Sequence, residues 1–166
     1  MSLLEQYALY LVLKELINNL GYDFKISFND YDINGDNVIG IMFKSGPNPD
    51  YRELSTGKYY GYANRVQIVV QSSYSKISLI DTLNLMQKIR EVLTSGISNN
   101  SYKVDALKYT DGKIVTKTKD IDYGQDVFVG ITSTHLIGDV DFKSKSSQNR
   151  SLYSLNLLFK YYITWR

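Results

Sequence analysis

From Tyr153 to Trp165 every second residue is large and apolar: Tyr153, Leu155, Leu157, Phe159, Tyr161, Ile163 and Trp165. Between them stand Ser154, Asn156, Lys160 and Thr164, with Leu158 and Tyr162 as exceptions. In an extended chain successive side chains point to opposite faces, so this pattern dictates a strand with one buried face. At about 3.3 Å per residue it spans roughly 40 Å, against the usual ~5–6 residues of a strand. Part of it is expected to pair with a neighbour or to project beyond the core.

Other extended segments are shorter. Phe24–Phe28 alternates with period two and reads as a half-buried strand. Val38–Phe43 is nearly all apolar, as a central strand is, and Gly40 within it marks a bulge or close packing. In Arg65–Ser73, Val66, Ile68 and Val70 alternate with Gln67, Val69 and Gln71. Asp126–Leu136 reads as another strand. Tyr102–Tyr109 and Ile114–Lys119 flank Asp111-Gly112, a dipeptide suited to a two-residue hairpin turn. Both arms are rich in Lys and Thr, so the hairpin 102–119 is expected to be exposed. Residues 139–151 are polar and Ser-rich and read as a loop.

Two segments have helical period. Ser2–Asn19 opens with Ser2-Leu3-Leu4-Glu5, a capping box in which Ser and Glu side chains satisfy exposed backbone donors. Leu3, Leu4, Tyr7 and Leu11 form its stripe, with Ala8, Val12, Glu15 and Asn19 beside it, and Gly21 can end it. Its middle turns are apolar nearly all round, which predicts cover on more than one side. Ser78–Ser95 opens with a second box, Ser78-Leu79-Ile80-Asp81, and places Ile80, Leu83, Met86, Ile89, Val92 and Leu93 on one side. The predicted class is α+β: a mostly antiparallel sheet with two helices packed on one face, in a single domain over 1–166.

Composition narrows the function classes. With 43% hydrophobic and 22% charged residues the chain is an ordinary globular one, long enough at 166 residues for a core. The net charge of +2 is dispersed, unlike the concentrated basic face of a nucleic-acid binder. There is no Cys, which excludes disulfides and thiolate metal sites and suits a reducing compartment. The N-terminus lacks the basic stretch of a signal peptide, and the longest apolar run, Tyr7–Leu13, falls far short of a membrane span. Lys, Asn, Ile and Tyr are frequent, as in AT-rich coding sequences.

No segment carries recognisable catalytic chemistry, and no cofactor or metal is expected. Asp30-Tyr31-Asp32-Ile33-Asn34-Gly35-Asp36 resembles the start of a calcium loop, but the twelfth position, which should bring a bidentate Glu, is Ile41. The alternative is a polar hairpin loop built on Asn34-Gly35. His135 is the only histidine and lies in a strand pattern without a nucleophile motif. The pairs Asp120/Asp122 and Asp139/Asp141 sit near turns, where Asp serves local hydrogen bonding.

The segment 44–62 differs. It reads as a long exposed loop and contains Gly46-Pro47-Asn48-Pro49-Asp50-Tyr51-Arg52 and Gly57-Lys58-Tyr59-Tyr60-Gly61-Tyr62. Tyr joins a large apolar ring to a polar tip, and Tyr and Arg are enriched at interface centres. Tyr51, Arg52, Tyr59, Tyr60 and Tyr62 are therefore the candidate residues for contacts between subunits or with a partner.

The chain resembles the tail terminator (minor capsid, tail-completion) proteins of long-tailed bacteriophages. The resemblance rests on the N-terminal helix, Ile39-Gly40-Ile41, Ser45–Asp50, Arg65–Gln71, the helix end Lys88–Leu93 and Ser154–Phe159, about half the chain. It implies a structural virion protein with no catalytic residues. Such a protein is assembled in the host cytoplasm into a ring, typically a hexamer, that caps the tail tube. The ring presents a surface to a head-completion or connector protein in the neck, and double-stranded DNA passes through it without sequence readout. Other tail-tube or head-completion subunits share such a sheet-plus-helix domain. A small enzyme or ligand-binding domain is the third class.

Overall fold

The alternating C-terminal segment is the spine of a nine-stranded sheet. The computed structural model describes residues 4–29, 37–44, 48–50, 61–73, 79–94, 97, 100–120, 123–138, 141–145 and 150–166. The elements run α1 (Leu4–Asn18), β1 (Lys25–Phe28), β2 (Val38–Phe43), β3 (Asn48–Asp50), β4 (Gly61–Ser73), α2 (Leu79–Thr94), β5 (Asn100–Thr110), β6 (Lys113–Thr116), β7 (Gln125–Leu136), β8 (Asp141–Lys145) and β9 (Arg150–Trp165). Across the sheet the order is β1-β2-β4-β9-β7-β5-β6, with β3 also on β4 and β8 also on β9. Among the described strands only β1 and β2 are parallel neighbours. The two helices pack on one face, which is the α+β arrangement expected.

Every residue of β9 is paired on at least one side. One side pairs with β4 from Arg150 to Tyr162. The other pairs with β8 at Arg150–Ser154 and with β7 from Leu157 to Trp165. β7 and β8 thus lie end to end along β9, and β2 and β3 lie end to end along the outer side of β4. Two broken arms support the long strands, and length alone does not reveal such partners.

Two segment assignments change as a result. The stretch 44–62 is not all loop: Asn48–Asp50 pairs with Gly61–Ala63, leaving 51–60 as the connection of a hairpin. Pro49 is tolerated there because, among the described residues, β3 pairs on one side only, as an edge strand does. The stretch 139–151 likewise contains β8 and the start of β9, their backbones paired from Asp141↔Ser154 to Lys145↔Arg150. Lys25 pairs with Val38 and Phe28 with Ile41 in parallel, so β1 and β2 are not the two arms of one hairpin. Residues 30–36, with both the calcium-like motif and the Asn34-Gly35 turn, lie outside the described residues.

The Asp111-Gly112 turn stands as expected. Thr110 pairs with Lys113, and both turn residues have positive φ, 53° and 80°, as a type I′ turn requires. The hairpin is only partly exposed, because Val104 and Leu107 of β5 are buried. Both helices occur where predicted, but their buried faces are rotated. On α2 the buried residues are Thr82, Leu85, Met86, Ile89 and Leu93, while Ile80 and Leu83 of the predicted stripe are 69% and 46% exposed. On α1 the buried residues include Leu9, Val12, Leu13 and Ile17, and the predicted Leu4, Tyr7 and Leu11 are half-buried. A helix apolar nearly all round does not define its own phase. The sheet takes one side of α1, and Phe28 takes another, packing on Tyr7 and Tyr10 at ring distances of 5.6 and 5.0 Å. Gly21, at φ 83°, ends α1 as expected, with its N–H donating to the Asn18 carbonyl.

The core lies between the helices and the sheet face built by Ile39, Ile41, Val66, Ile68, Val70, Val127, Val129, Ile131 and the odd-numbered residues of β9 from Tyr153 to Ile163. A buried hydrogen bond between the Ser72 and Thr82 hydroxyls, 3.0 Å, ties α2 to β4. Asn29, at φ 55°, extends the β1–β2 pairing. Its N–H donates to the Ile41 carbonyl, and its side-chain oxygen accepts the Phe43 N–H at 2.7 Å.

Candidate functional site

Strand directions gather two hairpins at one end of the sheet. The register Asp50↔Gly61↔Tyr162 puts the ends of β3 and β4 where β9 finishes. Val127↔Trp165 and Tyr109↔Gln125 bring the Asp111-Gly112 turn to the same end. The chain terminus follows at Arg166. β9 and β7 separate the two hairpins, so β4 and β5 lie about 14 Å apart at ~4.8 Å per strand. Aromatic contacts stiffen this end. Tyr109 stacks on Trp165 with 4.0 Å between centroids and 5° between planes. The Arg166 guanidinium lies 4.3 Å above the Phe128 ring.

Of the five candidate contact residues, Tyr51, Arg52, Tyr59 and Tyr60 lie outside the described residues. Tyr62 is placed, and it belongs to β4. It pairs directly with Tyr161 on the helix-covered face, with ring centroids 5.6 Å apart and planes at 34°. The Tyr161 hydroxyl is buried and donates to Asn64 Oδ1 at 2.5 Å. Burial pushes the Tyr62 phenol up, and the Glu5 carboxylate adds to the effect. Burial, Glu5 and Tyr62 push Tyr161 far up as well. Both phenols are thus held neutral, and the pair is a packed brace at the base of the hairpin.

The other sheet face alternates with the core positions. Met42, Gln67, Phe128, Leu158, Lys160 and Tyr162 are half-buried there, and Arg65 and His135 are exposed. Tyr162 lies over Gly130, its cross-strand partner. Where β2 leaves β4 and β7 leaves β9, a groove of about 240 Å³ opens, lined by Lys44, Arg65, Val66, Ile137, Gly138, Asn156 and Leu157. Among the described residues its lining holds two cations, one side-chain amide and no carboxylate. The Lys44 N–H donates to the Arg65 carbonyl and the Ile137 N–H to the Asn156 carbonyl, so backbone bonds fix both rims.

A second charged cluster sits at a bulge in β5. Val104 pairs with Val127 and Lys108 with Asp126, so 105–107 have no partner on β7. Asp126 holds the bulge from both sides, accepting from Lys108 Nζ at 2.8 Å and approaching Lys103 Nζ at 3.6 Å. The hydrogen bond from Lys108 holds the Asp126 carboxyl below its usual range, helped by the charges of both lysines. Beside the bulge a recess of about 180 Å³ is lined by Leu11, Val12, Glu15 and residues 103–106.

The residues weighed for catalysis are dispersed. His135 sits opposite Leu158 on the open face. Asp120 is exposed beyond β6, and Asp122 and Asp139 lie outside the described residues. Among the described residues no three His, Cys, Asp or Glu side chains gather as metal ligands. The groove was not legible in sequence, because it depends on where two strands break. The one available signal was the pair of exceptions in β9, Leu158 and Tyr162, which mark an open face that is not simply solvated. No protein-family model matches the chain, and a search of curated proteins finds no match either.

Proposed function

We propose that this chain is a structural virion protein, a tail terminator of a long-tailed bacteriophage. In this reading copies form a ring, typically a hexamer, on the finished tail tube and join it to a head-completion or connector protein. DNA passes through the opening without sequence readout, and the chain performs no reaction. Assembly takes place in the host cytoplasm.

The observation that carries the reading is the base of the β3–β4 hairpin, whose two strands flank residues 51–60 in the chain. This base is braced by Tyr62, Tyr161 and Asn64 and lies at the end of the sheet shared with the β5–β6 turn. A rigid base under a segment carrying Tyr51, Arg52, Tyr59 and Tyr60 suits a contact surface, because less entropy is lost when rigid elements bind. A ring closes when two different patches on each copy meet around an axis. The net charge of +2 is compatible with DNA passage, since strong phosphate binding would hinder it. Among the described residues no helix is long and apolar enough to cross a membrane.

Solution mass, measured for the protein alone and with purified tail tubes, tests the proposal. The expected result is one ring at the end of each tube. Decoration along the tube would indicate a tube subunit, and binding to heads alone a head-completion protein. A stable monomer that binds no tube would end the terminator reading.

A further inference from the structure

The two strands that end the sheet, β1 and β6, each have a strand partner on one side only among the described residues. The hydrogen bonds of β1 show which of its backbone groups are spent. The Lys25 N–H donates to the Asn37 carbonyl and the Asn29 N–H to the Ile41 carbonyl, so the odd residues face β2. Ile26 and Phe28 therefore turn their N–H and C=O groups outward. On β6 the Lys117 N–H donates to the Ala106 carbonyl, so Lys113 and Val115 face β5 with it, and Ile114 and Thr116 turn outward. Each edge thus presents two residues' worth of donors and acceptors, which is what another strand recognises.

The two edges match in direction and in face. β1 runs with β2, and the direction then reverses at every step from β2 through β4, β9, β7 and β5 to β6, so β6 runs against β1. A second copy set beside the first with its helices on the same side keeps its strand directions. Its β6 would meet β1 antiparallel. The outward residues also carry their side chains on one face: Ile26 and Phe28 pair with Ile39 and Ile41, and Ile114 and Thr116 with Tyr109 and Leu107, all on the helix-covered side. Pairing of like edges would close at two copies and leave the other edge bare, whereas β6 on β1 repeats head to tail.

Charge then selects one register. Keeping the faces together sets Lys25 opposite an odd residue of the other edge, and of residues 113, 115, 117 and 119 only Val115 is not lysine. Like charges directly opposite each other destabilise a strand pair and unlike charges support it. With Lys25 opposite Val115, Ile26 meets Ile114, Lys113 faces Ser27, and the exposed Asp23 falls opposite the exposed Lys117. Short strands and lysines are the usual means of keeping stray strands off an edge, and here they leave this one alignment open. We infer that β6 of one copy adds to β1 of the next, antiparallel and with Ile114 opposite Ile26, so that one sheet continues across the joint. The inference rests on the ring reading above and specifies the surfaces that close it.

The chain contains no Cys, so engineered thiols report without background. Lys25 and Val115 would form a non-hydrogen-bonded pair, with Cα atoms about 4.5 Å apart and within disulfide reach. Inside one copy the two strands lie six strand spacings apart, about 29 Å, so a link between these positions joins two copies. Protein carrying both Lys25→Cys and Val115→Cys is oxidised mildly, alone and on tail tubes, and run without reductant. The expected result is a ladder of covalent oligomers ending at the ring size. Lys25→Cys protein mixed with Val115→Cys protein should give dimers only. Asp23→Lys or Lys117→Asp alone should weaken the ladder several-fold, and the two together should restore it. Rings of correct mass with no ladder would overturn the inference and leave the ring reading standing. A single variant that links to itself, or a ladder from Lys25→Cys with Lys117→Cys in its place, would show a different joint and overturn the inference too. A ladder that runs past any ring size, on protein that binds no tube, would keep the strand joint and end the ring reading. Absence of both rings and ladder would remove both.

Discussion

The ring of Tyr162 lies over Gly130, its direct partner across β7 and β9, so closely that a β-carbon at 130 would fall on the ring. Glycine inside a strand loses packing and costs more entropy on folding than alanine does. Here the vacant position seats an aromatic from the neighbouring strand, which covers backbone that would otherwise be bare. Gly130→Ala should force the ring aside and destabilise the protein by about 1 kcal/mol. In a Tyr162→Ala background the sign should reverse, with alanine at 130 stabilising by roughly 0.5 kcal/mol through strand entropy alone. Urea denaturation of the four proteins in this cycle measures the coupling.

Three buried or half-buried tyrosines set an alkaline limit on stability. Burial raises Tyr10, Tyr62 and Tyr161 above the ordinary phenol value of 10.0 in the folded chain. Above that pH the unfolded state releases protons that the native state holds, so stability falls as pH rises. It is fully present below pH 10.0 and is lost progressively toward the raised native values. Absorbance near the phenolate band should therefore show these rings ionising only as circular dichroism reports unfolding. Tyr161→Phe should soften the alkaline loss. Near neutral pH it should cost about 1–2 kcal/mol, because Asn64 Oδ1 loses a donor in a buried place.

Asp126 contributes at the opposite end of the pH range. Its folded-state carboxyl is lowered from 3.8 by the hydrogen bond from Lys108, with Lys103 nearby. Stability from this clamp is present above pH 3.8 and disappears as pH falls through the lowered native value. Asp126→Asn should melt below the parent protein at pH 7, and the difference should close in acid. Melting temperatures across that range check it. An unchanged gap at low pH would show that the bulge is held by something other than charge.

Strand existence was legible in the chain because period two survives any tertiary context. The alternation from Tyr153 to Ile163 became the buried face of β9 without exception. The dipeptide Asp111-Gly112 defined its turn because few other residue pairs take two positive φ values in a row. The rotation of α2 was not legible. Ile80 and Leu83 suit a buried stripe as well as Leu85 does, and the polar Thr82 is buried where Ser72 meets it on β4. The parallel β1–β2 pair was hidden for a similar reason, since periodicity describes a strand and not its neighbour's direction. Tyr62 reads as part of a loop because three more tyrosines precede it nearby. Its membership of β4 depends on pairing with Pro49 and Tyr161, residues 13 positions before it and 99 positions after it in sequence.

That reassignment separates the contact tyrosines by experiment. Tyr62 packs on Tyr161 and is half-buried, so Tyr62→Ala should cost about 1–2 kcal/mol of stability through lost area and a lost aromatic pair. Tyr51, Tyr59 and Tyr60 belong to the connection the hairpin carries, and their alanine variants are expected to melt with the parent protein. If the connection is a contact surface, the triple variant should retain its fold and lose ring formation on tail tubes. Tyr62→Ala should lose stability first, and assembly only in proportion. Thermal melts paired with tube-binding assays read both quantities on the same samples. A triple variant that still assembles and supports infection would mean that the tyrosines of 51–60 make no contact that assembly needs, whatever joins the copies.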